Sequence, residues 1–336
     1  MMLVSTRMKV LFIGGTGIIS SACSRLAVAQ GIELFHLRRG KTSRPVPPQI
    51  QILNGDIRDP ESARRALGDR RFDAVVDWIA FTPAHIEADL ALFRDRTHQF
   101  VFISSASAYQ TPPSGLPVRE STPLDNPFWA YSRDKIACEE RLLRAYRDEK
   151  FPFTVVRPSH TYDRTLFPCH GGYTVVDRMR RGKKVLVHGD GTALWTLTHH
   201  EDFAKGLVGL LGHSRAIGEA IHITSDEWLN WNQIHELVAQ AAGTRADIVH
   251  LPSTVIAKHD PEWGASLLGD KTHSMIFDNS KIKSLVPGFR CEIPFSRGAQ
   301  EILAYYDADP ARRVVDAKLD ALTDKLVAIA ERAYGA

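Results

Sequence analysis

The run Lys9-Val10-Leu11-Phe12-Ile13-Gly14-Gly15-Thr16-Gly17-Ile18-Ile19-Ser20 constrains this chain more than any other stretch. Val10 to Ile13 read as a buried strand, and the amphipathic stretch from Ile18 to Gln30 reads as a helix entered through glycines. Such a junction makes a phosphate cradle. Residues without a Cβ let the backbone approach an anion, and the free N–H groups of the helix N-terminus face it. The strand-then-helix context suits a dinucleotide pyrophosphate, so Gly14, Thr16, Gly17, Ile18 and Ile19 are the expected cofactor loop. Ser20 stands where Gly or Ala gives the closest helix packing, which predicts a slightly looser turn.

Strand and helix alternate onward. Ile32–Leu37 reads as a strand ending at Arg38 and Arg39, Ile50–Leu53 as the next, and Asn54 to Pro60 as a turn into a helix. Phe72–Ala80, Gln99–Ile103 and Phe151–Val156 read as further strands, with helices at Pro83–Phe93 and within Asn126–Glu149. The pattern predicts an α/β, Rossmann-type, doubly wound parallel sheet, with residues 1–158 as the NAD(P)-binding domain. Regularity then falls. Residues 159–307 read as a smaller substrate-binding part, some segments of which return to the sheet, and 308–336 as a helical tail. Leu319, Leu322, Leu326 and Ile329 share one face of that tail, which is expected to pack on its own domain.

Composition narrows the function classes. Hydrophobic residues at 44% and charged ones at 24% are ordinary for a soluble globular protein, and a net charge of +3 does not by itself imply nucleic acid. Cys23, Cys138, Cys169 and Cys291 lie far apart with no Cys-x-x-Cys pair, against a disulfide framework or a zinc knuckle. His235-Glu236 lacks a second histidine one turn on, and no metal site is expected. Met1 to Met8 holds no apolar run of signal-peptide length and no later stretch approaches a membrane span. A cytoplasmic location is the default, with Met8 a candidate start.

Two further stretches carry chemistry. Phe102-Ile103-Ser104-Ser105-Ala106-Ser107-Ala108-Tyr109 places a hydroxyl cluster at the carboxyl end of the fifth strand, the edge where ligands bind in open α/β sheets. Tyr131-Ser132-Arg133-Asp134-Lys135 puts Tyr131 and Lys135 one helical turn apart on one face. A free phenol titrates at about 10 and is a poor base at neutral pH. A nearby ammonium, with the positive charge of an oxidised nicotinamide, favours the phenolate. Lys135 can also hold the nicotinamide ribose, while a serine hydroxyl fixes the substrate oxygen and Tyr131 takes or returns its proton.

With these stretches in order, the chain resembles the extended short-chain dehydrogenases/reductases of the NAD-dependent epimerase/dehydratase family, from about Lys9 to Ala304. The match runs through Gly14 and Gly17, Asp56-Ile57, the serine cluster and the Tyr131/Lys135 pair. It continues with Arg157-Pro158, Gly189-Asp190-Gly191 and His199-His200-Glu201-Asp202. The resemblance implies that Asp56 contacts the adenine, Ile57 packs on it, and Ala80 lies near the ribose. Ser104, Pro158 and His160 then border the cofactor. Ser105, counted back from Tyr109, becomes the catalytic hydroxyl with Tyr131 and Lys135, and Ser104 and Ser107 are the alternatives. The resemblance also implies a homodimer through the Asn126–Glu149 helix and the helix before it.

Three departures shape the expected ligands. Arg38 occupies the place of an acidic residue in NAD-preferring members; with Arg39 it can bind a 2′-phosphate, so the cofactor is NAD or NADP with a lean to NADP. Trp195 stands where members acting on nucleotide sugars carry an arginine; it offers an indole N–H and a stacking face. A sugar-like secondary alcohol or ketone other than a nucleotide diphosphate sugar is the expected substrate. Trp78 replaces a smaller residue and is read either as pocket lining or as core.

His160 is open to a pocket role or a structural hydrogen bond, and one of His199 and His200 is expected to pack inward. Arg178 to Lys184 is the most basic run, read as a solvated helix end with phosphate or RNA contacts as the alternative. Asp177 to Asp202 also resembles the plastid stem-loop RNA-binding branch of the family. An enzyme is the leading reading; an RNA-binding module is the other.

Overall fold

Seven parallel strands make the central sheet of the computed structural model, which describes residues 7–40 and 44–334. The expectation drawn from Met1 to Met8 lies, for residues 1–6, outside them. The strands are β1 (Lys9–Ile13), β2 (Glu33–Arg38), β3 (Gln51–Asn54), β4 (Ala74–Asp77), β5 (Phe100–Ile103), β6 (Phe153–Pro158) and the later strand Ala220–Ile223. Their spatial order is Ala220–Ile223, β6, β5, β4, β1, β2, β3. The chain starts in the middle, winds outward to β3, and returns to wind the other way from β4. That leaves a crevice at the carboxyl ends of β1 and β4, the switch point where such sheets take ligands.

The helices are α1 (Ile18–Ala29), α2 (Pro60–Leu67), α3 (Pro83–Phe93), α4 (Ala130–Glu149), α5 (Tyr173–Arg180) and α6 (His200–Leu210), with others after them. Ala22, Cys23 and Ala27 of α1 and Phe203, Ala204 and Leu207 of α6 bury one sheet face. Ala63 and Leu67 of α2, Ile86, Leu90 and Phe93 of α3, and Cys138, Leu142 and Ala145 of α4 bury the other. Both faces are therefore covered, which is why β4 and β5 are fully buried along their lengths rather than alternating.

Three element ends are set by polar side chains that capture backbone N–H groups. α4 begins at Ala130, inside the expected Asn126–Glu149 stretch, since Asn126 Oδ1 accepts from Phe128 N at 3.2 Å and Trp129 N at 3.0 Å. β4 stops at Asp77 instead of Ala80, since its carboxylate takes Ile79 N at 2.6 Å and Ala80 N at 2.9 Å. The last helix spans Ala317–Tyr334 and is opened by Asp316, which accepts from Lys318 N at 2.9 Å and Leu319 N at 3.1 Å. Its face packs inward: Leu319, Leu322, Leu326 and Ile329 join a cluster with Leu186, Val249, Leu251 and Trp263.

Of its cations the basic run buries only Arg178; Arg180 and Arg181 are exposed, and its other cations are ion-paired. Arg178 is 2% exposed; it donates to Lys184 O at 2.9 Å and is paired with Asp320 and Asp324. Arg181 pairs with Asp320 at 3.1 Å, Lys183 with Asp324 at 2.8 Å, and Lys184 with Glu331 at 2.8 Å. These cations answer carboxylates of the C-terminal helix, so they do not form a free phosphate-binding face. Among the described residues no helix is long and apolar enough to cross a membrane, and no group of three or more His, Cys, Asp or Glu side chains could hold a metal ion.

Candidate active site

The glycine loop is shaped by what lies beneath it. Gly14 has φ +87°, and a Cβ there would meet Ile79 Cγ2 at 2.6 Å; one on Gly15 would meet His36 Cε1 and Nε2 at 2.5 Å. His36 is wedged under the loop by Ser24, whose hydroxyl lies 3.0 Å from His36 Nε2. Ser20 tightens the turn instead of loosening it: its Oγ accepts from Gly17 N at 2.7 Å and donates to Gly14 O at 3.3 Å. The first helical bond runs from Ser21 N to Gly17 O at 3.1 Å, so the turn of Ile18 and Ile19 before it presents the N-terminal amides that suit a pyrophosphate. Gly15→Ala is expected to push His36 out of its seat and weaken dinucleotide binding by about tenfold or more, measured by titration with NADH and NADPH.

Ala80 and Lys135 meet beside this loop. Lys135 is 2% exposed, and its Nζ donates to Ala80 O at 2.7 Å and Ile103 O at 2.8 Å. Burial lowers its pKa to about 8, against the pull of Cys138, Asp77 and Glu139. Its Nζ lies over the Tyr131 ring, 5.7 Å from the centroid. Burial raises the Tyr131 pKa, a hydrogen bond with Ser105 opposes the rise, and the charge of Asp270 adds to it. Ser105 is thus the hydrogen-bond partner that opposes the rise, and the Lys135 ammonium stands beside the same ring.

Ser105 is the end of a hydroxyl chain. Ser132 Oγ donates to Ser107 Oγ at 2.8 Å, and Ser107 Oγ lies 2.9 Å from Ser105 Oγ. Ser107 N also donates to Ser105 Oγ at 3.1 Å. The same Ser105 hydroxyl is hydrogen-bonded to Tyr131. Ser104 departs from expectation: its hydroxyl turns away from the crevice and donates to Glu139 Oε1 at 2.5 Å. Glu139 in turn receives Arg157 Nε at 3.0 Å and Nη2 at 2.5 Å in a buried pair that ties α4 to β6.

Ser105, Ser107 and Tyr131 line a cavity of about 280 Å³ with Pro158, His160 and Trp195. Trp195 is 4% exposed, and its indole N–H is already given to His160 Nδ1 at 3.1 Å, so its polar handle serves the wall. Trp78, read as pocket lining or core, packs edge-on to Phe12 with centroids 5.3 Å apart and is not part of this wall. Asp56 is in contact with Arg39 at 3.7 Å, Ile57 is 3% exposed in the core, and Arg38 ends β2.

Sequence reasoning missed Asp270 and Lys271, which line the same cavity and pair at 2.9 Å. They sit on a π-helical turn, Leu267–Lys271, a local irregularity that frequently marks functional sites. Lys271 Nζ lies over Trp195, 5.8 Å from the ring centroid, so a cation stands close to where the expected arginine is lacking. Nothing in the spacing of Asp270 and Lys271 announced them. His160 and Lys271 also border a neighbouring cavity of about 260 Å³ containing His188 and Trp231.

Burial holds several histidines neutral: the pKa falls to about 4 for His36, about 3 for His160, about 4 for His188 and about 4 for His200. Depressed folded-state values mean that the unfolded chain binds protons first. Stability present above about pH 6.5 is expected to be lost as pH falls toward 4, by up to about 1.4 kcal/mol per pH unit for each histidine. Denaturant unfolding between those limits checks the slope.

The chain matches known proteins throughout this frame. The NAD dependent epimerase/dehydratase family model covers residues 10–224. The chain is 25% identical over 295 residues to the 2′-dehydrokanamycin reductase of Streptomyces kanamyceticus, covering 84% of this chain and 80% of that protein. It is 26% identical over 262 residues to the chloroplast stem-loop binding protein of 41 kDa b of Arabidopsis thaliana, covering 73% and 66% respectively. In fold it is similar to an epimerase of Methanothermobacter thermautotrophicus, with a TM-score of 0.75 at 18% identity over 91% of this chain and 94% of the other. A family match spanning the glycine loop, the serine cluster and the Tyr131/Lys135 pair leaves one assignment: the chain belongs to the NAD-dependent epimerase/dehydratase family, enzymes of the extended short-chain dehydrogenase/reductase type.

Proposed function

We propose that the protein oxidises or reduces a secondary alcohol or ketone of a sugar-like substrate, other than a nucleotide diphosphate sugar, with NAD or NADP. The observation that carries this reading is that Ser105 and Tyr131 line the 280 Å³ cavity, with Lys135 beside the Tyr131 ring. The loop of Gly14, Thr16, Gly17, Ile18 and Ile19 holds the pyrophosphate, with Asp56 and Ile57 at the adenine. Two of the three Lys135 donors are spent on Ala80 O and Ile103 O, leaving one for the nicotinamide ribose. When bound, the nicotinamide supplies the hydride acceptor or donor.

In the oxidation direction Tyr131 accepts the proton of the substrate hydroxyl, and Ser105 holds the same oxygen. Ser107 and Ser132 orient the Ser105 hydroxyl from behind, so the donor is aimed before substrate arrives. In reduction the proton path reverses. Asp270 is the carboxylate of the cavity wall and is spent on Lys271, so the wall offers hydroxyls, an imidazole, an indole face and a neutralised cation. That chemistry suits an uncharged polyol ring. A relative named as a 2′-dehydrokanamycin reductase is consistent with ketone chemistry on a sugar derivative.

Arg38 supports NADP. Its Nε is buried without a hydrogen-bond partner among the described residues, as a guanidinium awaiting an anion would be. The reading includes a homodimer through α3 and α4, which ion pairs Arg94–Glu149 and Arg141–Glu87 lock into one face.

The test is the identity and redox state of any nucleotide released on denaturing the purified protein. Retained stoichiometric NAD favours a hydride-recycling epimerase or dehydratase and overturns the lean to NADP. Reversible NADP(H) binding favours a net dehydrogenase or reductase. Binding of neither dinucleotide overturns the proposal.

A further inference from the structure

Two carboxyl groups with no part in the proposed chemistry lie behind Lys135. Asp77, at the end of β4, and Asp89, on α3, are both 0% exposed. Asp77 Oδ1 accepts the N–H groups of Ile79 at 2.6 Å and Ala80 at 2.9 Å. Asp77 Oδ2 and both oxygens of Asp89 have no donor among the described residues. The two carboxyls are close enough to hydrogen-bond each other, which two carboxylates can do only through a proton. Buried like charges at such range cannot both ionise cheaply, whereas one proton between them satisfies the orphan oxygens and leaves a single negative charge.

We propose that Asp77 and Asp89 share one proton and together form a singly charged counter-ion that positions Lys135 and keeps it an ammonium. The mechanical link is Ala80. Asp77 fixes the turn containing its amide, and the Ala80 carbonyl receives Lys135 Nζ at 2.7 Å. The electrostatic link follows from the other charges in the neighbourhood. Arg58, which donates to Ile79 O, repels Lys135, and His85 on α3 feels Arg58, Asp77 and Lys135 together. On α4, Cys138 is held as a thiol by burial, and Asp134 acts on it from the same helix. Glu139, also on α4, is committed to Arg157 and Ser104. Arg58 also acts on Asp89, so the acid pair stands between two cations, and Asp77 is its member that supports the charge of a lysine that burial drives toward neutrality. Asp77 and Asp89 are positioning residues, acting through Lys135.

Infrared spectroscopy reads the shared proton directly. The wild-type protein at neutral pH is expected to show the carbonyl stretch of a protonated carboxylic acid, and Asp89→Asn to lack it. NADH binding against pH reads the consequence. Asp89→Asn retains the charge on Asp77 and keeps the wild-type alkaline limb. Asp77→Asn combined with Asp89→Asn removes the charge and moves that limb down by about one pH unit or more. Absence of the acid band in the wild type overturns the inference, and so does an unmoved limb in a folded double variant. The consequence rests on the reading of Lys135 given above. The band does not, so it still decides the shared proton if the double variant fails to fold or if the protein binds no dinucleotide.

Discussion

Tyr131→Phe is expected to lower turnover by about 10²–10⁴-fold, the range that a positioned acid–base group contributes, while dinucleotide affinity stays unchanged. The variant keeps the ring over Lys135 and removes the hydroxyl that meets Ser105. The Ser132–Ser107–Ser105 chain stays in place, so substrate oxygen is still held but its proton has no acceptor. Absorbance of NAD(P)H with a panel of polyols and keto-sugars, beside a cofactor titration, separates the two effects. Undiminished turnover with tight cofactor binding would sink the assignment. The pH profile carries a second signature. Lys135 loses its charge above about 8, so the alkaline side should fall from there instead of near 10.

Glu139→Ala is expected to cost about 3–5 kcal/mol of folding stability, the loss typical when one partner of a buried ion pair is removed. Glu139 is 6% exposed and Arg157 4% exposed, so the stranded guanidinium has little water to turn to. Arg157 also lies over the Tyr109 ring, 4.7 Å from its centroid, and Tyr109 continues to His222 Nδ1 at 3.0 Å. Loss of the carboxylate therefore loosens α4 against β6 and frees the Ser104 hydroxyl. Urea unfolding measures the stability. Replacing both Glu139 and Arg157 with apolar residues should restore much of it, because no unpaired charge is then buried.

The glycine loop and the alternating strands were legible because their signals are local. Val10 to Ile13 followed by Gly14 and Gly17 fixes a strand, a turn and a helix within one short window. The Tyr131/Lys135 spacing was equally local, since one helical turn guarantees a shared face. What the spacing did not carry was direction. Adjacent serines on an extended segment point to opposite sides, so Ser104 reaches Glu139 while Ser105 meets Tyr131. Lys135 was legible as a neighbour of Tyr131 but not as a donor to Ala80 O and Ile103 O, which lie 55 and 32 residues away in the chain. Asp270, Lys271 and the Asp77–Asp89 pair were invisible for the same reason: their partners meet only after the sheet is assembled. Trp195 was legible as a candidate for the wall but not as the donor to His160, which is distant in sequence.

The partners of the basic run have a consequence for the order in which the protein is made. Arg178 meets Asp320 across 142 residues, and Lys184 meets Glu331 across 147. During synthesis the cations leave the ribosome long before the carboxylates that answer them. The helix from Ala317 carries as many cations as anions, so a chain without it keeps its net charge while the cations of the basic run lose their partners. Local electrostatics and packing are thus completed by the same segment, and a chain ending before Ala317 is expected to bind nucleic acid more tightly than the longer chain, as a gel-shift titration would read.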